Sequence, residues 1–312
     1  MRAVGFKEFG GPEVLHVLEL VEPHPGPGEV RVRVRAATVN PFDVGMRAGA
    51  FRHMLRGVRP PYVGGWDAAG VVDAVGEGVT AWRVGDEVMA IRLPVGAHGG
   101  THMEQIVVPE RSVARMPAGT DFVAACTVPS NGLTARQTLD RLALRPGQTL
   151  AVTGAAGIYG GYVIQLAKVA GLRVVADAAP ADEELVRGLG ADVVVARGTD
   201  VAVRVRAAVP EGVDAVADGA VLGSRMLPAL RDGGHLAAVQ PFDGTPERGI
   251  TVHQVSVSED VEEQEKLDEL RDLVERGAVT PRVADTYPME DAAEAHRRLE
   301  AGGVRGRLVL RF

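Results

Sequence analysis

The sequence has 312 residues, 46% apolar and 24% charged, with a net charge of −7. That length accommodates two domains with separate cores, and the composition is that of an ordinary globular chain rather than a disordered or fibrous one. The acidic balance argues against a nucleic-acid partner, no apolar run is long enough to span a bilayer, and the one cysteine, Cys126, excludes an intrachain disulfide and fits a reduced, cytoplasmic setting.

In chain order, residues 1–9 lack the charged-then-apolar pattern of a secretory signal and read as a first strand closing at Gly10-Gly11-Pro12. A Pro/Gly loop over 23–28 leads into a strand in which Val30, Val32 and Val34 alternate with Arg31, Arg33 and Arg35. The arginines are then the solvent face of a half-buried strand rather than a basic patch. Further strands are expected at 70–75, 87–91 and 105–108. With no long amphipathic helix before about Asp121, this first part reads as a mostly β domain of barrel type.

Beyond Asp121 the pattern changes. A helix is expected at 133–144, stopped by Arg145-Pro146-Gly147, and then a short apolar strand at 149–153. Helix and strand alternate from there, with strands at 173–176, 192–195, 214–217, 235–239 and 251–255 and helices at 182–188, 200–208 and 223–230. Six apolar strands separated by helices imply a doubly wound parallel sheet, and the run Val193–Val195 fits a strand buried on both faces. After Val257 a long helix is expected with Ser258 as N-cap, Glu259 and Asp260 in its first turn, and Gly277 at its end. A helix at 291–301 and a closing strand at 307–310 follow, the strand expected to return to the β domain.

The central motif is Thr153-Gly154-Ala155-Ala156-Gly157-Ile158-Tyr159-Gly160-Gly161, placed after a strand and opening a helix. Such a turn lets backbone approach a pyrophosphate, and the helix N-terminus supplies free N–H groups and a positive dipole. Dinucleotide binding is the expectation, with close helix–strand packing as the alternative. Asp177 stands 20 residues after Gly157, where an acid would bind the ribose hydroxyls of NAD(H). No Lys or Arg follows before Arg187, which locally favours NAD(H); capping of the next helix by Asp177 and Asp182 is the alternative.

The whole pattern resembles the zinc-free quinone oxidoreductase (zeta-crystallin-like) branch of the medium-chain dehydrogenase/reductase superfamily. The motifs that carry the resemblance are Phe9-Gly10-Gly11-Pro12-Glu13-Val14-Leu15, Val39-Asn40-Pro41-Phe42-Asp43 and Gly64-Gly65-Trp66-Asp67-Ala68-Ala69-Gly70-Val71-Val72. The cofactor turn 155–160 and the C-terminal stretches 291–296 and 306–310 complete it. It implies an α/β protein: a GroES-like catalytic domain from 1–121 and 259–312, and a Rossmann domain over 122–258. By the resemblance, the cofactor lies in a cleft with Asn40 and Thr134 flanking the nicotinamide and Val239, Gln240, Val252 and His253 lining its other side. NADP(H) is the usual cofactor of the group, the substrate a small-molecule quinone or activated alkene, and the assembly a homo-oligomer, dimeric or tetrameric.

Zinc-using relatives carry an early cysteine, a Gly-His-Glu and a four-cysteine lobe; here Gly65-Trp66-Asp67 replaces the second and Cys126 stands alone, so no metal is expected. His53, His98, His102 and His235 are read as structural or surface residues, although His98 and His102 bracket a Gly-Gly loop that could face the cleft. Gly45 and Phe51 stand where relatives carry tyrosines, and Ala178, Ala179, Ala181 and Asp182 where relatives hold the 2′-phosphate. The cofactor-binding set is therefore Asn40, Thr134, Thr153, Ala155, Ala156, Gly157, Ile158, Tyr159, Gly160, Asp177, Val239, Gln240, Val252 and His253.

The expected chemistry is hydride transfer from the nicotinamide to an electron-poor acceptor, driven by positioning and desolvation. Asn40, Arg47 and backbone amides are the candidate donors to the developing oxyanion. Asp43 is read as fixing the Asn40 loop, with an acid role as the alternative. Two other readings stay open: a non-catalytic nucleotide-binding member, and a metal-free alcohol or aldehyde dehydrogenase.

Overall fold

The computed structural model describes residues 1–96 and 98–312. In chain order the strands are β1 (Arg2–Phe6), β2 (His16–Glu19), β3 (Glu29–Val39), β4 (Tyr62–Val63), β5 (Asp67–Val75), β6 (Glu87–Ile91), β7 (Gln105–Pro109), β8 (Val113–Arg115), β9 (Thr149–Thr153), β10 (Arg173–Ala178), β11 (Val193–Ala196), β12 (Val213–Asp218), β13 (Leu230–Ala238), β14 (Thr251–Gln254), β15 (Val283–Pro288) and β16 (Arg307–Arg311). The α-helices are α1 (Pro41–Arg47), α2 (Phe122–Ala125), α3 (Pro129–Leu142), α4 (Ile158–Val169), α5 (Glu183–Gly188), α6 (Val201–Ala208), α7 (Gln264–Glu275) and α8 (Ala292–Glu300).

The chain divides into two compact units. The first holds residues 1–130, 258–276 and 281–312. Its large sheet runs β15-β16-β3-β5-β6-β8, with β7 also paired to β3; β2-β1-β4 form a small second sheet. The alternation in β3 reads out as expected: Val30, Val32 and Val34 are buried while Arg33 and Arg35 are exposed. Those valines pack with Val72, Val88, Ile106 and Trp82, and each fully buried valine contributes roughly 1.5–3 kcal/mol. The last four residues of β3 are buried without alternation, because Ala125 and Cys126 pack on Ala36 while Ala292 and Ala295 of α8 pack on Val39; β16 pairs along its edge, Leu308 with Val39 and Leu310 with Ala37. The closing strand thus returns to the β unit. Its parallel neighbour β15 leaves no periodic signal in the sequence, since Val283, Ala284 and Asp285 are exposed.

The second unit holds residues 131–257 and 277–280. Its six strands are all parallel in the order β11-β10-β9-β12-β13-β14. The chain winds outward from β9 in one direction, then returns to start again from its other edge at β12. The carboxyl ends of β9 and β12 therefore flank the switch point where ligands bind in such sheets.

Three local expectations are corrected. Val193–Val195 is half-buried rather than enclosed, because β11 is the edge of the sheet. The segment Gly223–Ala229 is a 3-10 helix containing Pro228, a residue that removes an α-helical hydrogen bond. The long helix begins at Gln264, with Val257–Glu259 forming a separate 3-10 turn. Glu259, Glu262 and Glu263 would stack like charges three and four residues apart in a helix started at Ser258.

Candidate active site

In the first unit, Asn40 leaves β3 and opens α1, with Pro41 at the first helical position. Its backbone N–H donates to Asp43 Oδ2 at 2.7 Å. The other Asp43 oxygen accepts Gly65 N–H at 2.8 Å, so one buried carboxylate ties the α1 turn to the glycine motif. Gly65 sits at φ +95°, and a Cβ there would lie 2.4 Å from Thr101 Oγ1; glycine is the residue that fits. Burial pushes the Asp43 carboxyl above its ordinary range, against the opposing pull of His102 and the two amide donors. His102 lies 3.9 Å from Asp43 and donates through Nε2 to the Thr38 carbonyl at 2.9 Å, so it braces this turn.

Asp67 is the hub. Thr38 Oγ1 donates to its Oδ2 at 2.7 Å, Ser130 Oγ to the same oxygen at 2.8 Å, and Asn40 Nδ2 at 3.3 Å. The backbone N–H of Ser130 takes Oδ1. Asn40 Nδ2 also donates to Thr38 Oγ1 at 3.0 Å. Thr38, Asn40, Asp67 and Ser130 are all buried. The network holds the Asn40 amide in one orientation, with its nitrogen turned to Asp67 and Thr38.

Arg47 does not join this group. Two turns after Asn40 on α1, its guanidinium is 1% exposed and ion-paired to Glu300 at the end of α8. Its Nε and Nη1, and both ring nitrogens of buried His296, have no protein partner among the described residues. Burial, aided by His102 and Arg47, takes the His296 imidazole down to about 3, so it is neutral at working pH. Arg47 thus serves the α1–α8 junction, contrary to its expected role as a donor to an acceptor oxygen.

In the second unit, the turn after β9 is built of glycines and alanines. Gly154 adopts φ +65°, and Gly157 caps α4, donating its N–H to Gly154 O at 2.9 Å. A Cβ on Gly160 would stand 2.5 Å from Gly154 O and 2.8 Å from Ala155 Cα, backbone atoms that cannot yield. The first amides of α4, from Ile158 on, have no intrahelical acceptor. Ala155, Ala156 and Ile158 are themselves buried.

Asp177 is turned beneath this loop, accepting Ala155 N–H on Oδ1 at 3.1 Å. Burial pushes its carboxyl up, opposed by the Ala155 amide, Arg197 and the Gly154 amide. Thr153 Oγ1 donates to Asp218 Oδ1 at 2.7 Å and accepts from Ala220 N–H at 3.1 Å, while Asp218 Oδ2 accepts Gly223 N–H at 2.7 Å. The ends of β9, β10 and β12 are thereby laced together. The Tyr159 ring lies against Gly219, where a Cβ would approach to 2.9 Å. Its hydroxyl bonds Thr138 Oγ1 at 2.8 Å, and Thr138 in turn donates to Thr134 O at 2.9 Å. Burial raises the Tyr159 phenol's pKa.

Val239 and Gln240 follow the carboxyl end of β13, as expected, whereas Val252 and His253 lie within β14. Val252 packs into the core of the second unit, and His253 is turned to His235, Nε2 to Nδ1 at 3.0 Å. Burial, with the neighbouring His235 and Arg141, lowers the His253 pKa. Asp67, Thr38, Ser130, Asp218 and Arg197 escaped the sequence reading as site residues. Arg197 follows β11, its N–H bonded to Ala178 O at 2.9 Å, so pairing of β11 with β10 brings it beside the end of β10.

The donor set does not fit zinc. Both Asp67 oxygens are occupied, and Cys126 is packed with Ala36, Ala69 and Val309, its thiol pKa raised well above the ordinary value by burial, Asp67 and Asp121, against Arg307. Among the described residues no group of three His, Cys, Asp or Glu could hold a metal ion.

Two family descriptions match: an alcohol dehydrogenase GroES-like domain over residues 26–118 and a zinc-binding dehydrogenase over residues 189–310. The quinone oxidoreductase of Pseudomonas aeruginosa is 31% identical, covering 99% of each chain. The chloroplastic NADPH-dependent alkenal/one oxidoreductase of Arabidopsis thaliana is also 31% identical, covering 99% of this chain and 79% of its own. The crystal structure of an NAD-dependent alcohol dehydrogenase superposes with a TM-score of 0.87 at 33% identity, covering 100% of both chains. The chain belongs to the quinone oxidoreductase branch of the medium-chain dehydrogenase/reductases. In this quinone oxidoreductase-related protein the two units are the GroES-like and Rossmann-type halves of an NAD(P)(H)-dependent oxidoreductase. No helix among the described residues is long and apolar enough to cross a membrane.

Proposed function

We propose that this protein is a zinc-free reductase that passes hydride from NADPH to a quinone or an activated alkene. The observation that carries the reading is the turn at 154–160, set at the switch point of the sheet, where Gly160 leaves no room for a side chain and the first amides of α4 have no intrahelical acceptor. The nicotinamide, when bound, supplies the hydride; the chain supplies binding, orientation and exclusion of water. The first amides of α4, at 158–160, would grip the diphosphate. Thr134, Val239 and Gln240 remain the residues assigned to the nicotinamide end. Asn40, held by Asp67 and Thr38, presents a fixed amide at the reacting end, and Asp43 positions it rather than titrating. With no group identified as the acid, the proton for the reduced acceptor comes from solvent.

NADPH is preferred in this reading for two reasons. Asp177, the residue expected to bind a ribose hydroxyl, already accepts the Ala155 N–H. Arg197 is exposed, and its charge acts on Asp177 from the neighbouring strand end, where a 2′-phosphate would find it. We further read the protein as a cytoplasmic homo-oligomer, which light scattering on the purified protein tests.

Comparative titration with NADPH and NADH, followed by oxidation of the preferred nucleotide with a panel of quinones and enones, tests the proposal. Tighter NADPH binding and acceptor-dependent oxidation support it. Binding without any acceptor turnover would convert it to a non-catalytic member. Alcohol oxidation with NAD would favour the dehydrogenase reading that the similar NAD-dependent alcohol dehydrogenase structure keeps in view.

A further inference from the structure

A cavity of 260 Å³ opens in the first unit beside β4, away from the Asn40–Asp67 network, with which it shares no residue. Its walls combine Arg92, Arg59 and His98 with the Tyr62 ring and apolar groups such as Val58 and Met103, and no Asp or Glu lines it. Arg92 follows β6 and is anchored by its backbone N–H to Trp66 O at 2.8 Å. Its side chain is half-buried, which takes its pKa down to about 10, with Glu29 pulling the other way. Glu29 itself accepts the Gly26 N–H at 2.8 Å. Among the described residues neither Arg92 nor Arg59 has an ion-pair or side-chain hydrogen-bond partner.

A half-buried guanidinium that lines a cavity and has no acceptor in its own chain leaves its planar set of donors to whatever enters that cavity. Here the protein supplies no pair. The space in front of the group is shaped for a body of modest size with apolar walls and one cationic pole. We propose that this cavity is a second binding site, separate from the redox site, for a small organic carboxylate with an apolar or aromatic body. The carboxylate would take the planar fork of Arg92, with Arg59 at the exposed mouth adding attraction, and the body would lie against Tyr62, Val58 and Met103.

Sodium benzoate is the probe, titrated calorimetrically into the full chain, with acetate (charge without ring) and benzamide (ring without charge) as controls. Benzoate is expected to saturate one site per chain and to bind about tenfold tighter than either control. Arg92→Met should weaken benzoate about tenfold, leave benzamide unchanged, and not lower the thermal midpoint of the probe-free protein, because it replaces an unpaired cation with an apolar chain. Arg59→Gln, a change at the exposed mouth, should cost about threefold. Saturating benzoate should shift the His98 imidazole resonances and leave the kinetics of nucleotide oxidation unaltered, so this site can fail without touching the reductase reading, and the reverse. The proposal is overturned by absence of saturable binding up to about 20 mM, by equal affinity for benzamide, or by competition with the redox acceptor. It is overturned equally if Arg92→Met unfolds the chain while Arg59→Gln binds benzoate as the wild type does, since Arg92 would then be a structural residue.

Discussion

Asp67→Asn is the most informative single change. One oxygen of Asp67 collects donors from Thr38, Asn40 and Ser130 Oγ; the other takes the Ser130 N–H. An amide at this position keeps the shape but has one acceptor. Its oxygen will face the three-donor side, and its NH2 will then confront the Ser130 N–H. That leaves a buried backbone donor unpaired, costing about 1–3 kcal/mol, and converts three charge-assisted bonds to neutral ones of roughly half the strength. A loss of about 3 kcal/mol is expected from a total of about 5–15 kcal/mol. Because the network also orients the Asn40 amide, the loss is expected to extend to catalysis: kcat should fall about tenfold or more while the Kd for NADPH, assigned in our proposal mainly to the turn at 154–160, stays within about twofold. Thermal unfolding by circular dichroism, nucleotide fluorescence titration and steady-state kinetics on one preparation measure all three. Ser130→Ala in the Asp67→Asn background should cost less than in the wild type, because the partner is already compromised. A variant with wild-type stability and wild-type kcat would refute the hub role.

Gly160→Ala should weaken NADPH by about 100-fold in a fluorescence titration, since the new Cβ would lie 2.5 Å from the Gly154 carbonyl and can be relieved only by moving the turn. Arg197→Gln should raise the Kd for NADPH about tenfold and leave NADH unchanged, the value of one charge-assisted contact to the extra phosphate; an equal effect on both nucleotides would place Arg197 elsewhere. Tyr159→Phe removes one hydrogen bond to Thr138 and should cost about 1 kcal/mol of stability with nucleotide affinity intact. The pH dependence of stability should carry the mark of His296. Its folded pKa lies near 3 against an ordinary 6.5, so the unfolded chain binds the extra proton between those values. Stability conferred by the neutral ring is full above about pH 6.5 and is lost at roughly 1.4 kcal/mol per pH unit as pH falls toward 3. His296→Leu should flatten that acid limb in urea titrations; an unchanged slope would show that the ring is solvated.

Much of this molecule is legible from local pattern. The alternation of Val30, Val32 and Val34 with arginines, the apolar strand at 149–153 and the glycine turn each depend on near neighbours in sequence, and each appears where the pattern places it. What escaped depends on distant pairing. Asp67 stands in the glycine motif as a mere replacement for a metal ligand; its three partners come from positions 38, 40 and 130, which only the folded sheet brings together. Arg197 is 20 residues beyond Asp177 in the chain yet adjacent across the β10–β11 pair. Arg47 failed for the complementary reason. It is named from sequence as a candidate oxyanion donor, but the helical period turns it toward Glu300 on α8. His253 likewise answers to His235 on the adjoining strand rather than to the end of its own.

The most direct test is acceptor-dependent oxidation of NADPH by protein exhaustively treated with a metal chelator. Turnover of a quinone or enone at the untreated rate, abolished in the Gly160→Ala variant, is the predicted result. Activity that disappears with the chelator and returns with zinc would contradict a metal-free reductase built on the turn at 154–160.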